Sequence, residues 1–225
     1  MTHTLKGMHP IPMNKPQLYG TPLSHFTRKI RILLAELAVD YAFVRTPSVL
    51  APGASSYGDN PLLRVPALHH EGATLIESDH IARYLVARYD PADRLGVRSE
   101  RVDAMNRLAV ANGVMSNEVV LLLAKRGGLD DVEGVAYFRK LASAMESGVA
   151  WLDGHCPDDA ETFDYADIAA VCMWQHLQHF QFVGGSDRYP RLAARVARFA
   201  ERPSVANTTP AASLAEATAA GWKPG

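Results

Sequence analysis

The chain has only two cysteines, Cys156 and Cys172, among 225 residues. They have no Cys-x-x-Cys spacing, so neither a disulfide framework nor a dithiol redox motif is expected, and a reduced compartment is the simpler setting. Charge of one sign is also scarce. The formal net charge is −1 with no basic block, which removes nucleic acid and anionic membrane as default partners. No run approaches the ~18 apolar residues of a membrane span, and Met1–Lys15 lacks an apolar core of secretory length. Internal repeats are absent, and no low-complexity block precedes the Ala-rich tail. What is present is an ordinary globular composition, 48% hydrophobic and 21% charged. A cytoplasmic protein with a loose first dozen residues is expected.

The chain divides by pattern. Gln17–Gly20 reads as a strand, and Thr21-Pro22-Leu23-Ser24 as a turn ending in a helix cap. Phe26, Ile30, Leu33, Leu34 and Leu37 then fall on one helical face, with Arg28, Lys29, Arg31 and Glu36 largely off it. Tyr41–Arg45 reads as a second strand. The aperiodic stretch Thr46–Asp59 is a surface loop, longer than connection alone requires. Ala67–His69 and Thr74–Ile76 flank Glu71-Gly72 as a hairpin, and Ser78 caps a helix from Asp79 to about Tyr89. After Asp90–Gly96 the strand signals stop. Helices are expected from Ser99 to about Arg126, from Val132 to Leu152, from Asp164 with a capping box, and from Pro190. From Thr208 the tail is expected to cover surface or fray. The domain organisation is therefore 17–90 as a small α/β unit, 91–98 as linker, 99–210 as an all-helical unit and 211–225 as tail.

Three local features carry chemistry. Glu77-Ser78 opens a helix, where unpaired N–H groups and the helix dipole favour a ligand carboxylate, and Glu77 can accept from an ammonium. Plain capping by Ser78 explains the same pair. Val65-Pro66 stands at a strand mouth, where proline cannot donate to a ladder. Ser24, at another helix start, can donate to a thiolate that the helix dipole also stabilises. His176 and His179 are three apart on a helix, but no third ligand has sensible spacing, so no metal is expected. The two thiols read as bland buried or loop residues.

Taken in order, Pro22-Leu23-Ser24-His25-Phe26-Thr27-Arg28-Lys29-Ile30-Arg31, Asn60-Pro61-Leu62-Leu63-Arg64-Val65-Pro66-Ala67-Leu68 and Leu75-Ile76-Glu77-Ser78 resemble the glutathione transferase family in a bacterial-type, serine-type form. Phe163–Ala169 and Arg202-Pro203-Ser204-Val205 resemble its motifs in the helical half, so the likeness runs from about Gln17 to Pro210. It implies a thioredoxin-like N-terminal domain, an all-α helical-bundle C-terminal domain, glutathione as co-substrate, a homodimer and a detoxifying role. It implies Ser24 as the catalytic residue and Ser24, Arg64, Val65, Pro66, Glu77 and Ser78 as the glutathione-binding set, with Pro66 in a cis bond. Arg64 stands where the family often has Lys, and Leu63 where it often has Gly. His25 stands where serine-type members commonly have Pro.

The expected reaction is attack of glutathione thiolate on a small hydrophobic electrophile. Lowering a thiol pKa by about two units is worth roughly 2.7 kcal/mol. The acceptor wall is expected from Asn112, Met115, Ser116 and Val119, with His25 beside the thiolate. A glutathione-dependent isomerase or dehalogenase is the alternative within enzymes. A non-catalytic binding or regulatory module on the same fold is the alternative outside them.

Overall fold

The computed structural model describes residues 15–129, 131, 134–159 and 161–222. The expected loose N-terminus and the expected helix start at Val132 lie outside the described residues. The first half holds β1 (Gln17–Gly20), α1 (His25–Glu36), β2 (Ala42–Arg45), β3 (Ala67–His70), β4 (Ala73–Ile76) and α2 (Ser78–Tyr89). The sheet order is β2-β1-β3-β4, with β1 parallel to β2 and antiparallel to β3, and β3 antiparallel to β4. This is the thioredoxin-like arrangement. The β3–β4 turn places Glu71 at φ 52° and Gly72 at φ 79°, the twist-matched geometry for a two-residue hairpin loop.

The second half is helical: α3 (Val102–Arg126), α4 (Ala136–Gly154), α5 (Tyr165–His179), α6 (Pro190–Ala200), the short α7 (Pro203–Ala206) and α8 (Pro210–Ala219). At the start of α5, Asp164 accepts from the Asp167 N–H and Asp167 accepts from the Asp164 N–H, a reciprocal capping box. Arg107 and Arg195 neutralise these carboxylates from α3 and α6. The α5 helix is buried along nearly its whole length, as its apolar sequence requires.

Four expectations change. Arg28, Lys29 and Arg31 are buried, at 4%, 0% and 8% exposure, because α1 lies between the sheet and the second half. Arg28 donates to Gln175, Val205 and Thr208, and Arg31 to Ser213 and Glu216. The tail forms α8, with Ser213 and Ala217 buried. Over its described residues it neither frays nor merely covers surface, because Arg31 and Arg45 hold its Glu216. Ser99 caps no helix; its hydroxyl accepts from Arg101 N–H, and α3 starts at Val102. Finally, α3 is long and apolar enough, by length and composition alone, to cross a membrane. Its polar residues interrupt every apolar run and hide this from a simple count. Here it packs on α4 and α5.

Candidate functional site

A cleft of about 480 Å³ opens between the sheet's edge and the α3–α5 wall. Its near side is built from the three loops that leave the strands. The end of β1 is pressed on the first turn of α1: a Cβ at Gly20 would stand 2.2 Å from Thr27 Cγ2. That contact sets where α1 begins. Ser24 is its N-cap, and its Oγ accepts from Thr27 N–H at 3.2 Å. The hydroxyl proton is left to donate into the cleft that Ser24 lines.

The second loop is held by Asn60, 2% exposed. Its amide donates to the Arg64 carbonyl at 2.7 Å, and its Oδ1 accepts from Leu62 N–H at 2.9 Å. Leu63 takes φ 52°, a left-handed conformation that glycine adopts without cost. The Val65-Pro66 bond is cis. Both residues line the cleft, and neither backbone group of Val65 has a hydrogen-bond partner among the described residues. Arg64 is exposed at the rim and has no ion pair among the described residues.

The third loop ends at Glu77, φ 71° and ψ 121°, a strained conformation for a residue with a side chain. Glu77 is exposed and has no ion pair among the described residues. It occupies the N-cap position of α2 without a capping bond. Ser78 is the first helical residue rather than the cap, and its Oγ accepts from Lys29 Nζ at 3.3 Å. The reading of Ser78 as a plain cap is thereby replaced: the helix begins one residue early, and its first-turn amides face the cleft mouth without a side-chain acceptor.

Below this lies a buried charge network. Lys29, fully buried, donates to Asp79 Oδ1 at 2.7 Å and Asn112 Oδ1 at 2.8 Å. Asn112 in turn donates to Asp79 Oδ2, and Tyr165 O–H to Asp79 Oδ1. Burial alone would raise the Asp79 pKa; Lys29 outweighs it and holds the carboxyl below its usual range. Burial lowers the Lys29 pKa despite the attraction of Asp79.

The far wall is made by α3 and α5. At 100° per residue, Asn112, Ser116, Val119 and Leu123 fall within about 60° of one another on α3, and all line the cleft. Asn112 lines it with its amide already engaged at both ends, so it is not free to bind an acceptor. Met115 is fully buried and does not line the cleft. It falls about 60° round the helix from Asn112, on the side of Ala111 and Glu118. Val120, Leu62 and Leu63 add exposed apolar surface to the cleft.

One residue of the cleft wall was not found by sequence reading. Glu118 is fully buried in α3. Its Oε1 accepts from His176 Nδ1 at 2.6 Å, and its Oε2 lies 3.3 Å from His25 Nε2. The His25 and His176 rings meet at 4.4 Å between centroids. Burial pushes the His25 pKa down to about 4, against the opposing pull of Glu118. Glu118 itself is raised by burial, but the bonds from His176 and His25 outweigh this and hold it low. One nitrogen from each imidazole and one carboxylate oxygen lie within 4.8 Å of one another, a set with the chemistry of a metal site. Sequence spacing offered His176 no third ligand; in the fold its ligand-type neighbours come from α1 and α3, not from His179. The one available signal was Glu118 itself, a carboxylate on the core side of an amphipathic helix. The thiols stand apart from the cleft lining, and burial raises Cys172 to about 11.

Comparison with known proteins bears on the fold. Residues 18–93 match the family model described as glutathione S-transferase, N-terminal domain. A glutathione transferase family member from Pseudomonas fluorescens, solved with bound glutathione, is 26% identical; the match covers 87% of this chain and 99% of that one, with a TM-score of 0.75. A glutathione S-transferase from Methylobacillus flagellatus, solved with glutathione bound, is 26% identical over 87% of this chain and 100% of that one, with a TM-score of 0.72. One from Methylobacterium radiotolerans, in complex with glutathione sulfonate, shares the fold at 24% identity, 88% and 95% coverage and a TM-score of 0.73. No curated protein matches the sequence. Residues 18–93 thus match the N-terminal domain of glutathione S-transferases, and the fold is that of the solved glutathione S-transferases.

Proposed function

We propose that this chain binds glutathione on the near side of the cleft and transfers it to a small hydrophobic electrophile held on the far side. The observation that carries this reading is the set of unpaired groups of opposite kind along one wall. Glu77 and the open amides of α2 suit an ammonium and a carboxylate on one carbon. The unpaired backbone of Val65 suits a peptide unit, and Arg64 a second carboxylate. Ser24, at the start of α1, suits a thiolate, which its hydroxyl and the helix dipole stabilise together. These are the parts of γ-glutamyl-cysteinyl-glycine in order. The apolar surface of Val119, Val120, Leu62 and Leu63 opposite them suits an electrophile with apolar bulk.

In this reading residues 17–90 bind glutathione and 99–210 supply the acceptor wall. Ser24 is the catalytic residue, and Ser116 and Val119 contact the acceptor. The chain acts as a cytoplasmic homodimer in detoxification, without nucleic acid, membrane or metal.

The test combines calorimetry with turnover of an aryl halide. Wild-type protein should bind glutathione at millimolar ligand or below. Ser24→Ala should raise the pKa of the bound thiol and lower kcat/KM about 100-fold, with a smaller effect on glutathione affinity. Glutathione binding without turnover of any acceptor would favour a binding module. Unchanged rate and thiol pKa in the variant would remove Ser24 from its role.

A further inference from the structure

The buried pair of histidines around Glu118 has no part in holding glutathione as described above, yet it sits in the same cleft wall. A carboxylate buried in apolar surroundings is costly unless its oxygens are well paired. The hydrogen bonds settle how the protons are arranged. Phe26 N–H donates to His25 Nδ1 at 3.1 Å, so the proton of the neutral His25 ring is on Nε2, the nitrogen that faces Glu118 Oε2. His176 meets Glu118 Oε1 through Nδ1 at 2.6 Å, a distance that requires a shared proton, so the neutral ring carries it on Nδ1. His176 therefore donates to the carboxylate, while His25 Nε2 and Glu118 Oε2 stand 3.3 Å apart without completing a hydrogen bond. A metal ion there would need both protons removed and the Phe26 bond broken.

This leaves one lone pair. His176 Nε2 makes no hydrogen bond to any described residue and is not among the buried atoms sealed without a partner. His176 lines the cleft, so the solvent its free nitrogen meets is that of the cleft. The residue after Ser24, His25, packs its ring against the His176 ring, which puts the basic nitrogen in the wall next to the α1 start. An imidazole fixed through Nδ1–H by a carboxylate, with Nε2 open to a reaction cleft, is arranged as an acid–base group.

We propose that His176 Nε2 is the base that takes the proton from bound glutathione, with Glu118 as the positioning residue that fixes its tautomer and stabilises the imidazolium. This rests on the glutathione reading given above. The S–H bond breaks, its electron pair stays on sulfur and the proton passes to Nε2. The thiolate then forms the C–S bond as the halide leaves, and the imidazolium returns its proton to solvent. Ser24 holds the anion; His176 accounts for where the proton goes. The charged and titratable groups around the His25–His176 pair are Glu118 on α3, Lys29 on α1 acting on His25, His179 on the His176 helix, and Arg126, whose guanidinium lies over the neighbouring Phe180 ring. Of these only Glu118 stabilises a positive ring, and it is the one in hydrogen-bond contact.

Wild-type protein tests this directly by nitrogen-resolved NMR of the histidine rings. Free protein should show His176 with Nδ1 protonated and Nε2 bare. Glutathione should convert it to the doubly protonated form, in step with the ultraviolet absorbance of thiolate. S-methylglutathione, which has no thiol proton, should bind and leave the ring neutral. A variant adds a second readout: His176→Gln should keep glutathione affinity within about twofold while kcat/KM for an aryl halide falls about 100-fold at neutral pH and recovers as pH rises. A bare Nδ1, a thiolate formed while His176 stays neutral, full activity in His176→Gln, or a ligand-field spectrum on titration with cobalt(II) each overturn the proposal. Absence of any calorimetric binding of glutathione would instead overturn the glutathione reading on which it rests. Should His176→Gln not fold, the NMR outcomes decide alone.

Discussion

Leu63 and Glu77 are the two residues of the cleft wall that hold a positive φ without being glycine. A left-handed conformation costs a residue with a Cβ roughly 1–2 kcal/mol, and glycine returns about 0.5–1 kcal/mol of that through its freer unfolded chain. Leu63→Gly should therefore stabilise the protein by about 0.5–1 kcal/mol in urea unfolding. A loss of stability would mean that the exposed Leu63 side chain contributes more than its backbone costs. His25 gives a second prediction at this scale. Its folded pKa is about 4 against an ordinary 6.5, so between those values the unfolded chain binds the proton and the folded chain does not. Its contribution is complete above pH 6.5 and is lost as pH falls toward 4, by up to about 3 kcal/mol. His25→Gln should flatten the loss of stability between pH 7 and 4.5, measured by urea midpoints. An unchanged slope would assign that acid sensitivity elsewhere.

Among the elements, α5 depends most on its first turn. Asp164 accepts from the Asp167 N–H and also takes the Arg107 guanidinium at 2.6 Å, from a side chain only 8% exposed. Removing it deletes a cap worth about 1 kcal/mol and leaves a buried arginine short of a partner. Asp164→Ala should cost about 2–4 kcal/mol in chemical unfolding, and Asp164→Asn, which keeps a capping oxygen, clearly less. Equal losses would show that the charge, not the cap, matters. The capping box was legible in the sequence because both partners lie within one turn. The boundary at Ser78 was not: Ser is a favoured cap, but Lys29 from another helix takes its hydroxyl, and no spacing within 60–90 records that.

At the scale of the whole molecule, α1 belongs to both halves. One side packs on the sheet and α2. The other meets α5, α7 and α8 through Arg28, Arg31 and Glu36, the last gripped by Arg202 and Ser204. The two halves should thus unfold together. All three tryptophans, Trp151, Trp174 and Trp222, lie in the second half. Their fluorescence in urea should change at the same midpoint as amide exchange in β1 and β3, and a separate, earlier opening of the sheet would contradict a shared core.

The sequence alone determined what depends on near neighbours: the strand and helix order, the Glu71-Gly72 hairpin, the α5 capping box, and the order of the Ser24, Val65-Pro66 and Glu77-Ser78 motifs. Such signals arise from periodicity, caps and turn chemistry within a few residues. Tertiary structure decided which polar groups are removed from water. It buried Arg28, Lys29 and Arg31, turned Met115 into the core, engaged Asn112, and brought Glu118 between two histidines from other helices. Each of these depends on packing between elements far apart in the chain, where a charged residue finds its partner only after folding has excluded the solvent.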